Sequence, residues 1–389
     1  MSFFRQIWVV TLLSLQTLPR RLTPSLVMMV GVAGAVAATL SLLALGSSLR
    51  SMAMGGIDPN LAIVFSSGAS GETTSDLAPA AIDLIAEAPG VRRDATGKPL
   101  AEGEAVILMD VTRKGTGVTD NVNLRGVGAA GLEMRKQFRL TAGRMFRPGF
   151  DELIVGRKAA ALYEGLGIGS HVVLRGVDWI VVGEFEEGGG LGESEMLTDA
   201  KTELAAFARP DFQSAFAELR TPRDFSRFHD ALTTNPQVSL VTLPYAAYVA
   251  SQVRGLTAVL NFVAYLVGTV MAVGATFAAV NTLYSAVDAR RREIATLRAI
   301  GFGGFPVLVS VLGEAVALAI PSALFGAIVA WALFNGRQAE VSGVAYDMRV
   351  TPALLVFGLT AALIVALIGA ALPALRAARL PIAEALRAT

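Results

Sequence analysis

Few residues in this 389-residue sequence could do chemistry by themselves. It has two histidines, His171 and His229, and neither has a second histidine at metal-ligand spacing, so an H-E-x-x-H zinc site is absent. There is no cysteine, which removes both a disulfide staple and a thiolate nucleophile. Gly68-Ala69-Ser70-Gly71 lacks the second spacing of a G-x-S-x-G nucleophile elbow. Gly90…Gly97-Lys98 has the outline of a phosphate loop. However, six residues separate its glycines, more than the motif allows, and Pro99 takes the place of the magnesium-binding hydroxyl. The sequence therefore predicts a chain that is not an enzyme and holds no ATP, magnesium or other cofactor of its own. Gly188-Gly189-Gly190-Leu191-Gly192, flanked by Glu186, Glu187, Glu193 and Glu195, reads as a flexible acidic loop, solvated or touching a partner; a cation site is the less favoured reading.

Two features carry more. Glu314 is a carboxylate inside an apolar stretch, where a charge is costly and is a functional candidate by default. The favoured reading is structural: it caps, pairs with Arg298, or contacts a neighbouring helix. The segment Asp288–Phe302 places Ile294, Leu297 and Ile300/Gly301 at i, i+3 and i+6/i+7, a short apolar edge, with Arg291, Glu293 and Arg298 projecting elsewhere. A short amphipathic helix of this kind suits docking into the groove of another protein. The competing reading is that its arginines only set membrane orientation.

The elements that must position these residues are membrane spans. Apolar stretches run over 26–45, 256–280, 305–334 and 352–375, each long enough for the roughly 20 residues a spanning helix needs. One span precedes a long segment and three follow it. Hydrophobic residues make up 53% of the chain and charged residues 17%, with mean hydropathy +0.55, outside the usual soluble range. Charge is sorted along the chain. The N-terminal piece, the 281–304 loop and the tail together hold ten basic residues against three acids, whereas 47–255 holds 21 against 26. By the positive-inside rule both termini are cytoplasmic, 285–304 is a cytoplasmic segment and 47–250 is extracytoplasmic. This sorting leaves no basic face for nucleic acid.

Phe4, Ile7, Trp8, Leu12, Leu15 and Leu18 share one helical face, so residues 1–20 are expected to form an interfacial helix on the inner leaflet, ended by Pro19, rather than a signal peptide. Gly31 and Ala35 in the first span form a small-xxx-small pair suited to helix contact. Asn261 and Asn281 add polar groups to the second span, and Pro321 is expected to kink the third.

The 47–250 segment alternates short strands and helices. Strands are expected at 61–65, 105–109, 153–155, 216–219 and 238–241, helices at 79–87, 158–164 and 225–232, and a hairpin at 171–174 with 179–182. The polar, Gly-rich stretch 110–131 reads as loop. Two α+β lobes summarise this pattern. Tyr245–Arg254 meets the second span without a breaker, predicting one long helix that rises from the membrane as a stalk. The expected fold is thus α-helical membrane, four spans, with a large extracytoplasmic α+β domain inserted after the first.

The run Arg290-Arg291-Arg292-Glu293-Ile294-Ala295-Thr296-Leu297-Arg298-Ala299-Ile300-Gly301 resembles the signature of FtsX/MacB-type (type VII) permeases of ABC transporters. Glu314 stands where that family has a Glu. The ending from Pro373 through Arg376, Arg379, Glu384 and Arg387 resembles the family's C-terminal motif, with Pro381 one place early. Segments 139–156 and 179–199 resemble, more loosely, its extracytoplasmic domain. The resemblance covers the whole chain, without a fused ATPase domain. It implies a permease of the bacterial inner (plasma) membrane working beside a cytoplasmic ABC ATPase dimer, which would hold the ATP and magnesium. A second permease copy or a paralogue, membrane lipid and, for export, a periplasmic adaptor complete the expected partners. Arg291, Arg292, Glu293, Leu297, Arg298, Ile300 and Gly301 are implied as ATPase-coupling residues, with Glu314 supporting the packing beside them. The expected function is export or extraction of a lipophilic compound, peptide or lipoprotein. The alternative is a non-transporting mechanotransmission relay controlling an extracytoplasmic partner such as a cell-wall hydrolase, whose family members usually have smaller outer domains.

Overall fold

A computed structural model describes residue 11 and residues 22–341 and 344–380. The expected interfacial helix over 1–20, Thr11 apart, and the tail beyond Leu380 lie outside the described residues. In chain order the elements are α1 (Leu22–Met54), β1 (Leu61–Ser66), α2 (Pro79–Ala86), β2 (Ala101–Thr112), β3 (Thr119–Val127), α3 (Ala129–Met134), β4 (Phe138–Gly143), β5 (Glu152–Gly156), α4 (Arg157–Leu162), β6 (His171–Leu174), β7 (Val177–Glu187), β8 (Met196–Asp199), α5 (Ala200–Ala206), β9 (Ser214–Glu218), α6 (Phe225–Thr233), β10 (Leu240–Pro244), α7 (Tyr245–Ala289), α8 (Arg291–Ala299), α9 (Gly304–Phe334), β11 (Gln338–Val341), β12 (Val344–Asp347) and α10 (Pro352–Ala378). They fall into two compact units: a helical one (1–48, 256–337, 347–389) and an inserted one (49–255 with 338–346).

In the helical unit α1, α7, α9 and α10 are each long and apolar enough to cross a membrane. Helices in lipid gain little from burying apolar surface and instead pack where small side chains let backbones approach. A Cβ on Gly326 would lie 2.3 Å from the carbonyl oxygen of Ala33, and one on Gly369 would lie 2.8 Å from Ala279 Cβ. α1 therefore comes close to α9 at Ala33 and to α7 at Thr39, whose hydroxyl oxygen a Cβ on Gly268 would meet at 2.7 Å. Gly31, of the expected Gly31/Ala35 pair, does face another helix, α7, where a Cβ would lie in ordinary contact 3.8 Å from Ala275 Cα. The core of this unit is Met28, Val32, Leu40, Leu283 and Leu318 among buried alanines of α9 and α10. Helix α9 continues through Pro321, which cannot donate to the carbonyl of Ala317.

The inserted unit is built on one ten-stranded sheet ordered β10-β1-β9-β2-β3-β8-β5-β7-β4, with β6 also on β7. β3–β8 and β5–β7 are parallel and the other pairs antiparallel. The strands flanking the middle share one element: Ala101–Glu104 of β2 pair with β9, and Ala105–Thr112 with β3. The two halves are therefore joined through a common strand. One half buries Ile85, Leu219 and Phe228; the other buries Leu153, Tyr163 and Trp179.

The expected loop over 110–131 is corrected to strand. β2 runs to Thr112 and β3 begins at Thr119, leaving only a short turn. Val122 and Leu124 face the core while Asn121 and Asn123 alternate with them, paired in register with Asp110 and Leu108. Cross-strand pairing overrode a composition typical of loops.

Candidate functional site

The segment singled out by its spacing forms α8, one residue after α7 ends. Arg290 is the elbow between them (φ −112°). Ile294 and Ala295 are buried, Ile294 in a cluster with Val287, Val307, Val311 and Ala377. Leu297 is half-buried, while Arg292, Glu293, Ile300 and Gly301 are exposed, Ile300 to 72%. The helix closes with Gly301 N–H donating to Arg298 O and Phe302 N–H to Leu297 O, both 3.1 Å. This is a Schellman closure, and it needs Gly301 at φ +101°.

Glu314 pairs with Arg290 rather than Arg298. Arg290 Nη1 lies 3.4 Å from Glu314 Oε2, and Arg290 Nε lies 3.3 Å from Glu293 Oε2. Arg298 instead donates to the carbonyl of Leu380 at 2.5 Å. Arg291 pairs with Asp288 at 3.0 Å. The segment is thus tied to α9 through Arg290–Glu314 and to the end of α10 through Arg298. Sequence reasoning passed over Arg290; its place at the start of the triple-arginine run, next to the end of the long helix, was the available signal.

The second constellation, in the inserted unit, includes the run expected as a flexible acidic loop, solvated or touching a partner; Gly188 and Gly189 are exposed, but the glutamates after them are taken up internally. Glu193 is buried and accepts the N–H groups of Glu187 and Gly189, folding the glycine run onto itself. Lys158 donates to Gly189 O at 2.6 Å. Glu195 accepts from Asn123 and Arg125 at 2.9 Å each. Arg125, with 6% of its side chain exposed, also meets Glu72 at 2.7 Å and Glu104 at 2.8 Å. Arg135 bridges Glu104 and Glu187 at 3.4 and 3.1 Å. Burial raises the Glu72 carboxyl against the pull of Arg125, and raises Glu187 against Arg135. For Glu195 burial is outweighed by Arg125, which holds it below the usual carboxylate range. These groups line a cavity of about 400 Å³ together with Phe216, Tyr245 and Tyr248. The signal in sequence was weak, because Glu72, Glu104, Arg125 and Arg135 come from separate elements.

Two family models match the chain: the FtsX-like permease C-terminal over residues 265–382 and the MacB-like periplasmic core domain over 25–235. The latter alone covers more than half of the sequence. The class is therefore a multi-pass ABC transporter permease. The chain belongs to the FtsX/MacB-type family. Among solved structures it is similar to the extracellular domain of the noncanonic ABC-type transporter YknZ from Gram-positive bacteria (17% identity, TM-score 0.36, 47% of this chain and 100% of that one). It is also similar to the periplasmic region of MacB from Actinobacillus actinomycetemcomitans (12% identity, TM-score 0.38, 51% and 94%). No curated protein matches the chain.

Proposed function

We propose that this chain is the permease subunit of an ABC transporter that couples ATP hydrolysis by a separate ATPase dimer to movement of its inserted domain, driving export or extraction of a lipophilic compound, peptide or lipoprotein. The observation that carries the reading is the continuity of α7 and α8: a 45-residue helix without a break, then a single elbow residue, then the docking helix. A push on α8 reaches Arg290, and through Glu314 also α9. The charge sorting supports both termini and α8 on the cytoplasmic side and the inserted domain outside. In this reading Arg292, Glu293, Leu297, Ile300 and Gly301 meet the ATPase, while Arg291 and Arg298 hold the helix in place and Glu314 anchors its elbow.

The experiment is purification of the tagged chain from gently solubilised membranes with identification of what stays bound. An ATPase together with a periplasmic adaptor supports export. An ATPase together with a cell-wall hydrolase moves the reading to mechanical relay. Absence of any ATPase overturns the coupling account.

A further inference from the structure

The cavity in the inserted domain has no part in the coupling account, and its lining is out of electrical balance. Four carboxylates, Glu72, Glu104, Glu187 and Glu195, face two guanidinium groups, Arg125 and Arg135. Arg125 already serves three of the carboxylates and Arg135 two. Lys136, also on the wall, is taken up by Asp58 and by Glu218 at 2.7 Å. With every group ionised the cavity carries two uncompensated negative charges where Glu104 is 2% exposed, and uncompensated buried charge is strongly unfavourable.

Aromatic rings lie directly beside these charges: the Glu72 N–H donates to the Tyr248 hydroxyl at 3.2 Å, and the Arg125 guanidinium stands 6.0 Å from the Phe216 ring centroid. Tyr245 stands edge-on to Phe216 at 5.1 Å and stacks on Tyr248 at 6.4 Å. Ring faces attract organic cations. Among the described residues no three acidic or histidine side chains converge as a metal site; the carboxylates are splayed around planar guanidinium groups instead. Exposed Gly56, Ser70 and Thr73 form the rim, and about 400 Å³ is the size of a small-molecule site.

We propose that this cavity binds a small organic dication, a diamine or diamidine, whose two positive groups balance Glu72 and Glu187 while its apolar middle lies against Tyr245 and Tyr248. Burial pushes the Glu72 and Glu187 carboxyls upward against the pull of Arg125 and Arg135, and a cationic group beside each offsets that cost. Because α7 contributes the tyrosines, the bound dication bridges the sheet and the start of the long helix. The proposal rests on the inserted domain alone and stands whether or not the chain couples to an ATPase.

The test is calorimetric titration of the full-length chain, in nanodiscs of zwitterionic lipid, with 1,6-diaminohexane at pH 7. The expected result is saturable binding, no binding of 1,6-hexanediol, and affinity about tenfold or more weaker in Glu187→Gln, as loss of one partner of a buried charge pair requires. Glu72→Gln is expected to behave alike; should it fail to fold, Glu187→Gln carries the test, because Glu187 is the more exposed of the two. Tyr248→Leu should also weaken binding. Absence of saturable diamine binding to the wild type, equal affinity in Glu187→Gln, or calcium displacing the diamine from the site would overturn the proposal.

Discussion

Arg125 is the residue on which the inserted domain's polar interior turns. It donates to Glu72, Glu104 and Glu195 from a position almost sealed from water. Removing one partner of a buried ion pair leaves its partners charged and unpaired, so Arg125→Ala is expected to cost about 3–5 kcal/mol in chemical denaturation; a loss under about 1 kcal/mol would mean that water reaches the carboxylates. Glu102 gives a pH signature of opposite origin. Burial raises its carboxyl to about 7, although the Gly131 N–H donates to it. An acid whose folded pKa lies above its unfolded value contributes stability that is complete below pH 4.5 and is lost as pH rises through about 7. The melting temperature of Glu102→Gln relative to wild type should therefore climb across that window and level off above it; a pH-independent difference would contradict the assignment. None of this was legible from residue types, because the partners of Arg125 lie 53, 21 and 70 positions away in the chain. The Glu186–Glu195 run reads as solvated because nothing in its own spacing reveals the arginine on β3, the strand beside β8.

Elements were more legible where their signal was local. The four spans announce themselves by length and apolarity, and the alternation at 171–182 fixes the β6–β7 hairpin. Short or shared elements were not: β8 has four residues and owes its existence to β3 on one side and β5 on the other. Helix ends yield two contrasting predictions. Helix α5 ends with Arg209 N–H donating to Leu204 O and Ala208 N–H to Ala205 O, which puts Ala208 at φ +50°. An L-residue is strained there, so Ala208→Gly should stabilise the protein by about 0.5–1 kcal/mol in thermal or denaturant unfolding; destabilisation would show that the closure is not limiting. At α8 the same closure already uses Gly301. A β-branched Gly301→Val cannot adopt φ +101° without strain, and should leave the chain in the membrane while lowering ATPase association.

For the whole molecule, the sequence conveyed the order of spans and the insertion point through charge and hydropathy, and the motif at 290–301 pointed to the family. What it withheld was which contacts tie the motif down, since Arg290 and Arg298 choose partners on α9 and at Leu380 only after folding. Orientation is open to direct test: a cysteine at exposed Thr116 should react with an impermeant thiol reagent added outside, and one at exposed Thr296 on α8 should react only after permeabilisation. The central claim is that α8 conveys ATP-driven force from a partner subunit. Its most direct measurement is the ATP hydrolysis rate of the purified permease–ATPase complex carrying Leu297→Asp, beside wild type, in nanodiscs. The account predicts normal membrane insertion with stimulation of hydrolysis lost, because a charge replaces the half-buried residue of the docking edge. Full stimulation in the Leu297→Asp complex would contradict it.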